Sequence, residues 1–181
     1  LINGTDGMLG MLVLALADLE VLLDTADLAA AMSVEGQLGT DRTFAADLMA
    51  LRPQVGQATS AANLRRFLAG SPIVASHRHG DGVVQDAYSL RCTPQVHGSV
   101  RDAVDYAATI AERELASAID NPSVLDDGRV ESHGNFHGAP VAHVLDFLAI
   151  GVADVAGISE RRTDRFLDVA RNRGLPPFLA D

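Results

Sequence analysis

The sequence contains no lysine, and all 14 of its basic residues are arginine. Against them stand 24 acidic residues, which leaves a net charge of −10 and no cluster of basic side chains. Nucleic-acid phosphates are bound by patches of lysine and arginine, which this sequence does not offer. Nucleic acid is therefore not expected as a partner.

Cysteine and long apolar runs are also scarce. Cys92 is the only cysteine, so no disulfide can form within the chain, which fits a reducing compartment. No run reaches the roughly 18 apolar residues that span a bilayer, because Asp18, Glu20 and Asp24 interrupt the most apolar segment. Leu1 is not followed by the charged region of a secretory signal. We therefore expect a cytoplasmic protein without a membrane partner, and an interior piece of a longer chain.

Apolar residues make up 48% of the sequence and recur mostly at helical spacing. This spacing predicts helices over residues 6–33, 43–51, 55–68, 94–119 and 139–170. The first of these is apolar around most of its circumference, which is typical of a helix buried on all sides. Residues 123–125 and 129–131 flank an Asp-Asp-Gly turn and predict a short β-hairpin, while residues 71–84 predict a loop. We therefore predict one all-α unit over residues 1–181, with long helices joined by functional loops and one hairpin.

Polar clusters lie between the predicted helices, where functional residues are often found. Asn3-Gly4-Thr5 precedes the first helix and is also typical of a capping turn. Gln85, Tyr88 and Arg91 recur at every third residue, which places an amide, a phenol and a guanidinium on one side of a helical segment. An ordinary polar helix surface would show the same pattern. The third cluster is SHGNFHG at residues 132–138.

The histidines allow two interpretations. His133 and His137, with His77 and His79, could supply metal ligands, but no Cys or Glu-His motif of known metal spacing accompanies them. We therefore expect no metal and interpret these histidines as hydrogen-bonded structural residues. Phosphate-binding loops, dinucleotide-binding glycine motifs and nucleophile-elbow serine motifs do not occur in the sequence.

The order of the motifs resembles that of the aromatic amino-acid lyases. The motifs are LINGT at 1–5, QDAYSLRCTPQVHG at 85–98, DNP at 120–122, GNFHG at 134–138, ISERR at 158–162 and LPPFL at 175–179. Together they extend over essentially the whole chain. The motif QDAYSLRC followed by PQVHG resembles the histidine-specific branch of this family rather than its phenylalanine-specific branch. His133 departs from the family, which usually has glycine there.

The resemblance implies a carbon–nitrogen lyase that eliminates ammonia from L-histidine to give trans-urocanate in histidine degradation. Removal of the weakly acidic β-proton requires an electrophile, and family members form a methylidene-imidazolone from an internal Ala-Ser-Gly tripeptide. That tripeptide does not occur in this sequence. The resemblance therefore implies that the electrophile-forming part precedes residue 1, that a C-terminal part with a further acidic residue follows residue 181, and that this chain alone is inactive.

The resemblance also implies roles for particular side chains. Arg91 would hold the substrate carboxylate through two parallel hydrogen bonds. Asn3 and Gln85 would donate hydrogen bonds to that carboxylate or to the carbonyl oxygen of the electrophile. Tyr88 would act in catalysis, and Phe136 would pack against the electrophile and exclude water. Family members are homotetramers with a central helical bundle, so a homo-oligomer is expected.

Two alternatives stay open. A phenylalanine or tyrosine ammonia-lyase, or an aminomutase that adds the ammonia back, would share these motifs, because the residues that select the substrate ring lie mainly outside the chain. A non-catalytic helical scaffold would explain the absent tripeptide. The joint presence of Asn3, Gln85, Tyr88 and Arg91 favours an enzyme.

Overall fold

The computed structural model describes residues 4–79 and 81–180 and confirms an all-α chain with one short hairpin. The α-helices are α1 (Asp6–Gly36), α2 (Ala46–Ala50), α3 (Val55–Leu68), α4 (Pro72–Ser76), α5 (Tyr88–Arg91), α6 (Thr93–Leu115) and α7 (Ala139–Leu167). Short 3-10 turns lie at Arg42–Phe44 and Pro177–Leu179. Strands β1 (Ser123–Val124) and β2 (Val130–Glu131) pair in antiparallel fashion.

Two predicted elements are wrong in detail. The predicted loop over residues 71–84 contains helix α4, which Ser71 begins by accepting a 3.1 Å hydrogen bond from the backbone N–H of Val74. Pro72 suggests a loop by composition, yet proline is well suited to the first turn of a helix. The predicted helix over residues 43–51 is broken at Ala45, whose extended backbone separates a 3-10 turn from α2.

Helices α6 and α7 also end earlier than predicted, at Leu115 and Leu167. After each end, a polar side chain bonds the local backbone. The Ser117 hydroxyl donates to the carbonyl of Arg113 at 2.7 Å, and the Asp168 carboxylate accepts from the N–H of Ala170 at 2.9 Å. Such side chains compete with the helical hydrogen bonds, and apolar spacing does not reveal them.

The chain groups into two compact units. Unit 1 comprises Leu1–Glu20 and Ala103–Ile150, and unit 2 comprises Val21–Asp102 and Gly151–Asp181. Helices α1, α6 and α7 each contribute residues to both units. The assignment of residues 1–181 to the central portion of a longer enzyme stays a prediction.

Unit 1 combines buried apolar residues with one well-placed polar contact. Its buried apolar residues are Leu9, Leu12, Leu19, Ala103, Val104, Ala107, Ala111, Val141, Val144 and Leu148. The buried Thr5 hydroxyl donates to the Glu114 carboxylate at 2.6 Å and ties the start of α1 to α6. A Cβ on Gly138 would lie 2.9 Å from the sulfur of Met8, so the chain entering α7 packs directly on α1.

Unit 2 has an apolar core that anchors helix α5. The core consists of Ala30, Ala31, Val34, Phe44, Met49, Ala61, Leu64, Leu68, Val74 and Leu90, with Ala87 packed against it. Leu90 lies inside α5, so its burial fixes this short helix to the core. Tyr88 of the same helix remains 69% exposed. The core thus anchors α5 through Leu90, while the side chain of Tyr88 remains accessible to solvent.

Helices α3 and α6 meet backbone to backbone in unit 2. A Cβ on Gly56 would lie 2.1 Å from the carbonyl oxygen of Gly98, and a Cβ on Gly98 would lie 2.2 Å from the backbone nitrogen of Gln57. The Asp102 carboxylate accepts from the N–H of Gly56 at 2.7 Å and so stabilises the start of α3. Only glycine fits at either contact position.

Helices α1 and α7 expose much apolar surface. Met11, Leu14 and Val21 of α1 are 69–72% exposed, so the predicted burial on all sides is wrong for this chain taken alone. Helix α7 is long and apolar enough to cross a bilayer by length and composition, and 28% of its most apolar window is buried. Core helices of globular proteins have the same properties, so this composition alone assigns no membrane role.

Candidate active site

Helix α5 carries Tyr88 and Arg91 as its first and last residues. The guanidinium carbon of Arg91 lies 5.9 Å from the centre of the Tyr88 ring, within the range of a cation–π contact. The helix is short because Pro94 has no N–H to donate to the carbonyl of Leu90, and the chain turns at Cys92 before α6 begins. A phenol and a guanidinium therefore stand together on one turn.

Arg91 carries a charge that no carboxylate neutralises in the described part of the chain. None of the ion pairs among residues 4–79 and 81–180 includes it. Its side chain is half-buried, and its Nε has no hydrogen-bond partner there. One turn later, the amide oxygen of Gln95 is also buried without a partner. The guanidinium of Arg91 is thus available to an anion from elsewhere.

Tyr88 lines an open pocket of about 720 Å³ in unit 2. The other wall comes from α7 and the segment after it, and it mixes both charges: Arg161, Arg165 and Arg171 alternate with Asp154 and Asp164. Arg171 donates to the Asp164 carboxylate at 3.0 Å, so part of this charge is neutralised within the wall. The pocket gives the Tyr88 ring access to a small molecule.

Gln85 does not share the helical face of Tyr88 and Arg91. It lies in the bend before α5, because Ala87 has an extended backbone with ψ 147°, and it lines other pockets than Tyr88 does. The carboxylate of the neighbouring Asp86 accepts from the N–H of Thr40 at 2.6 Å, which ties this bend to the turn after α1. The prediction of one common face is confirmed for Tyr88 and Arg91 and wrong for Gln85.

The other two predicted residues are Phe136 and Asn3. Phe136 belongs to unit 1, between the hairpin and α7, and is 43% exposed. Asn3 lies outside the described residues. Their contribution to a site with Tyr88 and Arg91 stays a prediction.

His133 fastens the base of the hairpin in unit 1. Its Nδ1 accepts from the N–H of Asn135 at 3.1 Å, so its Nε2 carries the proton and donates to the Ser123 hydroxyl at 2.6 Å. Its own N–H donates to the side-chain oxygen of Asn121 at 2.8 Å, next to the cis Asn121–Pro122 bond. His137 accepts from the N–H of Ala139 at 3.3 Å. These contacts confirm a structural role for both histidines.

The whole chain matches one protein family. A sequence profile described as "Aromatic amino acid lyase" covers residues 1–181. The chain belongs to the aromatic amino acid lyase family. The predicted resemblance is thereby confirmed.

Curated relatives of the lyase chain are histidine ammonia-lyases. The enzyme of Streptomyces avermitilis is 63% identical over 181 residues, which are 100% of this chain and 35% of that protein. The enzyme of Deinococcus radiodurans is 53% identical over 180 residues, which are 99% of this chain and 34% of that protein. The lyase chain therefore spans about a third of the length of these relatives.

Solved structures with the same fold include both an ammonia-lyase and an aminomutase. Histidine ammonia-lyase from Trypanosoma cruzi matches with a TM-score of 0.86 and 39% identity, over 100% of this chain and 33% of that one. Tyrosine aminomutase from Streptomyces globisporus matches with a TM-score of 0.90 and 32% identity, over 97% of this chain and 37% of that one. The fold alone does not distinguish between them.

Sequence reasoning missed a buried charge cluster in unit 2 of the lyase chain. One oxygen of the Asp27 carboxylate accepts from His97 Nδ1 at 2.8 Å, and the other accepts from Asn63 at 2.9 Å and Arg101 at 2.7 Å. Burial alone would raise the pKa of Asp27. The hydrogen bonds from His97, Asn63 and Arg101 outweigh it and hold the pKa below its ordinary value of 3.8. Asp27 is one of six acidic residues in α1, and apolar spacing does not distinguish it from the others.

Arg101 completes this cluster, which we call the Asp27 cluster (Asp24, Asp27, Ser60, Asn63, His97 and Arg101). Its guanidinium also donates to Asp24 at 2.8 Å and to the Ser60 hydroxyl at 3.0 Å. The Asp24 side chain is 70% exposed, whereas that of Asp27 is fully buried. The cluster therefore joins α1, α3 and α6 through one arginine.

Arg162 ends the ISERR motif, and no role for it follows from the sequence. It lies on α7 and is 4% exposed. Its Nη1 donates to the carbonyl of Ser89 at 3.3 Å and to the Thr93 hydroxyl at 3.2 Å. Burial lowers its pKa to about 10, with the charge of Asp27 opposing the shift.

Proposed function

We propose that the complete protein is a carbon–nitrogen lyase of histidine degradation that eliminates ammonia from L-histidine to give trans-urocanate. The observation that carries this proposal is the guanidinium of Arg91, which has no ion pair among residues 4–79 and 81–180 and lies beside the phenol of Tyr88 on helix α5. The identity of 63% and 53% to histidine ammonia-lyases supports L-histidine as the substrate. The structural match to a tyrosine aminomutase is more distant in sequence, at 32% identity.

Arg91 binds the α-carboxylate of the substrate in this proposal. A guanidinium without an internal counterion can give two parallel N–H groups to a carboxylate, and each such charge-assisted bond contributes roughly 1.5–3 kcal/mol. The bound carboxylate also fixes where the amino group and the β-carbon lie. Arg91 therefore orients the substrate as well as binding it.

Tyr88 acts at the reacting end of the substrate. Its side chain is 69% exposed, and its hydroxyl has no hydrogen-bond partner among the described residues, so it can donate to or accept from a bound molecule. Asn3 and Gln85 donate hydrogen bonds to the carboxylate or to a developing negative charge. Phe136 packs over the site and keeps water out.

The exposed side chains fit a methylidene-imidazolone contributed from outside this chain, since the sequence has no Ala-Ser-Gly from which to form one. Tyr88 and Phe136, both exposed in this chain, are the residues that would contact it. When bound, this group supplies an electrophile that makes the amino group of the substrate a better leaving group. The chain's own residues bind the carboxylate, place the phenol and exclude water.

We further propose that the protein is a cytoplasmic homotetramer. The exposed apolar residues of α1 and α7, which include Met11, Leu14, Val21, Phe147 and Ile150, support burial against further subunits. Light scattering on the complete protein should give four times the mass of one chain. A monodisperse monomer would contradict the proposal.

The activity is tested on the complete protein and on the chain of residues 1–181 alone. The complete protein should release ammonia and urocanate in equal amounts from L-histidine, and neither phenylalanine nor tyrosine should be turned over comparably. The chain alone should be inactive, because no residues in it can form the electrophile. Preference for another amino acid, a β-amino acid product, or no turnover at all would respectively favour another ammonia-lyase, an aminomutase or a scaffold.

A further inference from the structure

We propose that Arg162 is a positioning residue, which holds helix α5 in the orientation that Tyr88 and Arg91 need for catalysis. The inference rests on the proposed function and deepens it by adding a residue of α7 to the site. Arg162 belongs to the ISERR motif, and none of the residues assigned to the proposed site comes from that motif.

The two contacts of Arg162 span the break between α5 and α6. Ser89, whose carbonyl accepts from Arg162, lies inside α5, and Thr93, whose hydroxyl accepts from it, is the first residue of α6. The break itself is weak in backbone hydrogen bonds, because Pro94 has no N–H to donate. The Thr93 hydroxyl also donates to the carbonyl of Ser89 at 3.4 Å, so the buried guanidinium and this hydroxyl together fix the angle between α5 and α6.

Arg162 also has no ion pair that would explain a buried cation. No carboxylate lies within ion-pair distance of it among residues 4–79 and 81–180. The nearest negative influence is Asp27, whose oxygens are already taken by the Asp27 cluster. A desolvated cation without a partner destabilises a fold. Stability alone would be served better by a neutral side chain of similar size.

The direction of the pKa shift agrees with this cost. Because burial lowers the pKa of Arg162 to about 10, the charged form is disfavoured by folding, and this destabilising effect is fully present at all pH values below that. A neutral replacement should therefore retain or increase stability while it loses the contacts to Ser89 and Thr93. Loss of function without loss of stability is the signature of a positioning role.

The test uses the complete protein with four variants. Arg162→Met removes the charge and the donors, and Arg162→Lys keeps the charge with a single ammonium. Thr93→Val removes one acceptor of Arg162 together with the hydrogen bond that this hydroxyl donates to Ser89. Arg113→Met removes an exposed arginine of α6 that contacts neither helix α5 nor the pocket. For each, kcat and KM for L-histidine are measured per folded active site, beside the melting temperature.

We expect Arg162→Met to lower kcat/KM roughly tenfold or more, through a lower kcat and a higher KM, because Tyr88 and Arg91 are both misplaced. Its melting temperature should stay near that of the parent or rise. Arg162→Lys and Thr93→Val should show smaller losses in kcat/KM, and Arg113→Met none. Should Arg162→Met fail to fold, Arg162→Lys and Thr93→Val decide the question.

A double-variant cycle makes the inference specific. If Arg162 acts through α5, Arg162→Met should cost less kcat/KM in an Arg91→Lys background than in the parent. Unchanged kinetics per folded site in the Arg162 variants, or full additivity with Arg91→Lys, would overturn the positioning role. If Arg91→Lys alone leaves kinetics unchanged, the proposed function is wrong instead, which keeps the two failures separate.

Discussion

Arg91 and Arg101 lie in the same unit but in opposite electrostatic environments. Arg101 donates to Asp24 and Asp27 at 2.8 and 2.7 Å and to Ser60. Arg91 has no ion pair among the described residues, and its Nε is buried without a partner. The Asp27 cluster joins helices through ion pairs, so each of its charged groups has an oppositely charged partner within the chain. Helix α5 keeps a charge unsatisfied, which is useful only if a ligand satisfies it.

This difference predicts that substitutions in the Asp27 cluster change mainly stability, whereas substitutions in α5 change mainly activity. Loss of one partner in the Asp27 cluster leaves other buried groups unsatisfied and lowers stability. Loss of Arg91 removes a group on which the fold does not depend and lowers activity. In the proposed site, the residue that binds substrate is the one without a stabilising ion pair among the described residues, as is common at active sites.

The largest effect on stability is expected for Asp27→Ala. It leaves the buried Nδ1 donor of His97 without an acceptor and removes one acceptor each from Asn63 and Arg101, so the free energy of unfolding should fall by about 3–5 kcal/mol. Chemical denaturation of the complete protein measures this loss. Kinetics per folded active site should stay close to those of the parent. A denaturation midpoint equal to the parent's would show that the cluster does not stabilise the fold.

Arg91→Lys should have the largest effect on activity. The ammonium keeps the charge but loses the two-pronged hydrogen bond, so kcat/KM should fall by roughly 10- to 1000-fold. The melting temperature should stay near the parent's. Arg101→Lys is the matched control and should show the reverse, with a lower melting temperature and nearly normal kinetics. Unchanged kinetics with a depressed melt in Arg91→Lys would remove the carboxylate-binding role.

Tyr88→Phe isolates the hydroxyl from the ring. The ring can still contact Arg91, so KM should change little, while kcat should fall on the order of 100-fold if the hydroxyl takes part in proton transfer. Steady-state kinetics of the complete protein with L-histidine decide this. Equal kcat in both proteins would exclude Tyr88 from the chemistry.

The Asp27 cluster also predicts an acid sensitivity. Because the pKa of Asp27 is lower in the folded protein than its ordinary value of 3.8, its stabilising contribution is complete above that value and is lost as the pH falls below it. Acid titration of Asp27→Asn should therefore show a shallower loss of stability below pH 3.8 than the parent does. Identical acid profiles would mean that other groups dominate.

The smallest effect is expected for Asp24→Ala, which removes the other carboxylate bound to Arg101. Its side chain is 70% exposed, so water and salt replace it easily, and the loss should be about 0–1 kcal/mol. Chemical denaturation of Asp24→Ala and Asp27→Ala, measured side by side, compares how much each carboxylate bound to Arg101 contributes to stability. Equal losses would show that burial is not what separates them.

The sequence predicted those parts of the fold that depend on local spacing. Helices α1, α3, α6 and α7 follow from apolar periodicity, and the hairpin follows from its turn. Helix α5 was harder, because the extended Ala87 places Gln85 off the face of Tyr88 and Arg91. Spacing arguments apply only while the backbone stays helical.

The buried polar residues could not be predicted in this way. His97 meets Asp27 across 70 residues of sequence, and Arg162 meets Ser89 across 73. Which residues become partners over such distances depends on how whole helices pack. The residue pattern of a single sequence does not contain this information. Tyr88 and Arg91 could be predicted as site residues because both lie within one motif, and their roles stay a prediction. The side chain of Arg162, which contacts this motif, comes from another helix.

The contact between Gly56 and Gly98 has a practical consequence for protein engineering. Replacement of helical glycine by alanine usually gains about 0.5–1 kcal/mol, so such sites are natural first choices in a thermostability library. At these two sites the added methyl group would overlap backbone atoms that cannot move aside, at 2.1 and 2.2 Å. Gly10 of α1, by contrast, has no atom within 4 Å of a new Cβ. A variant library for this chain should therefore keep glycine at positions 56 and 98 and introduce substitutions at other positions.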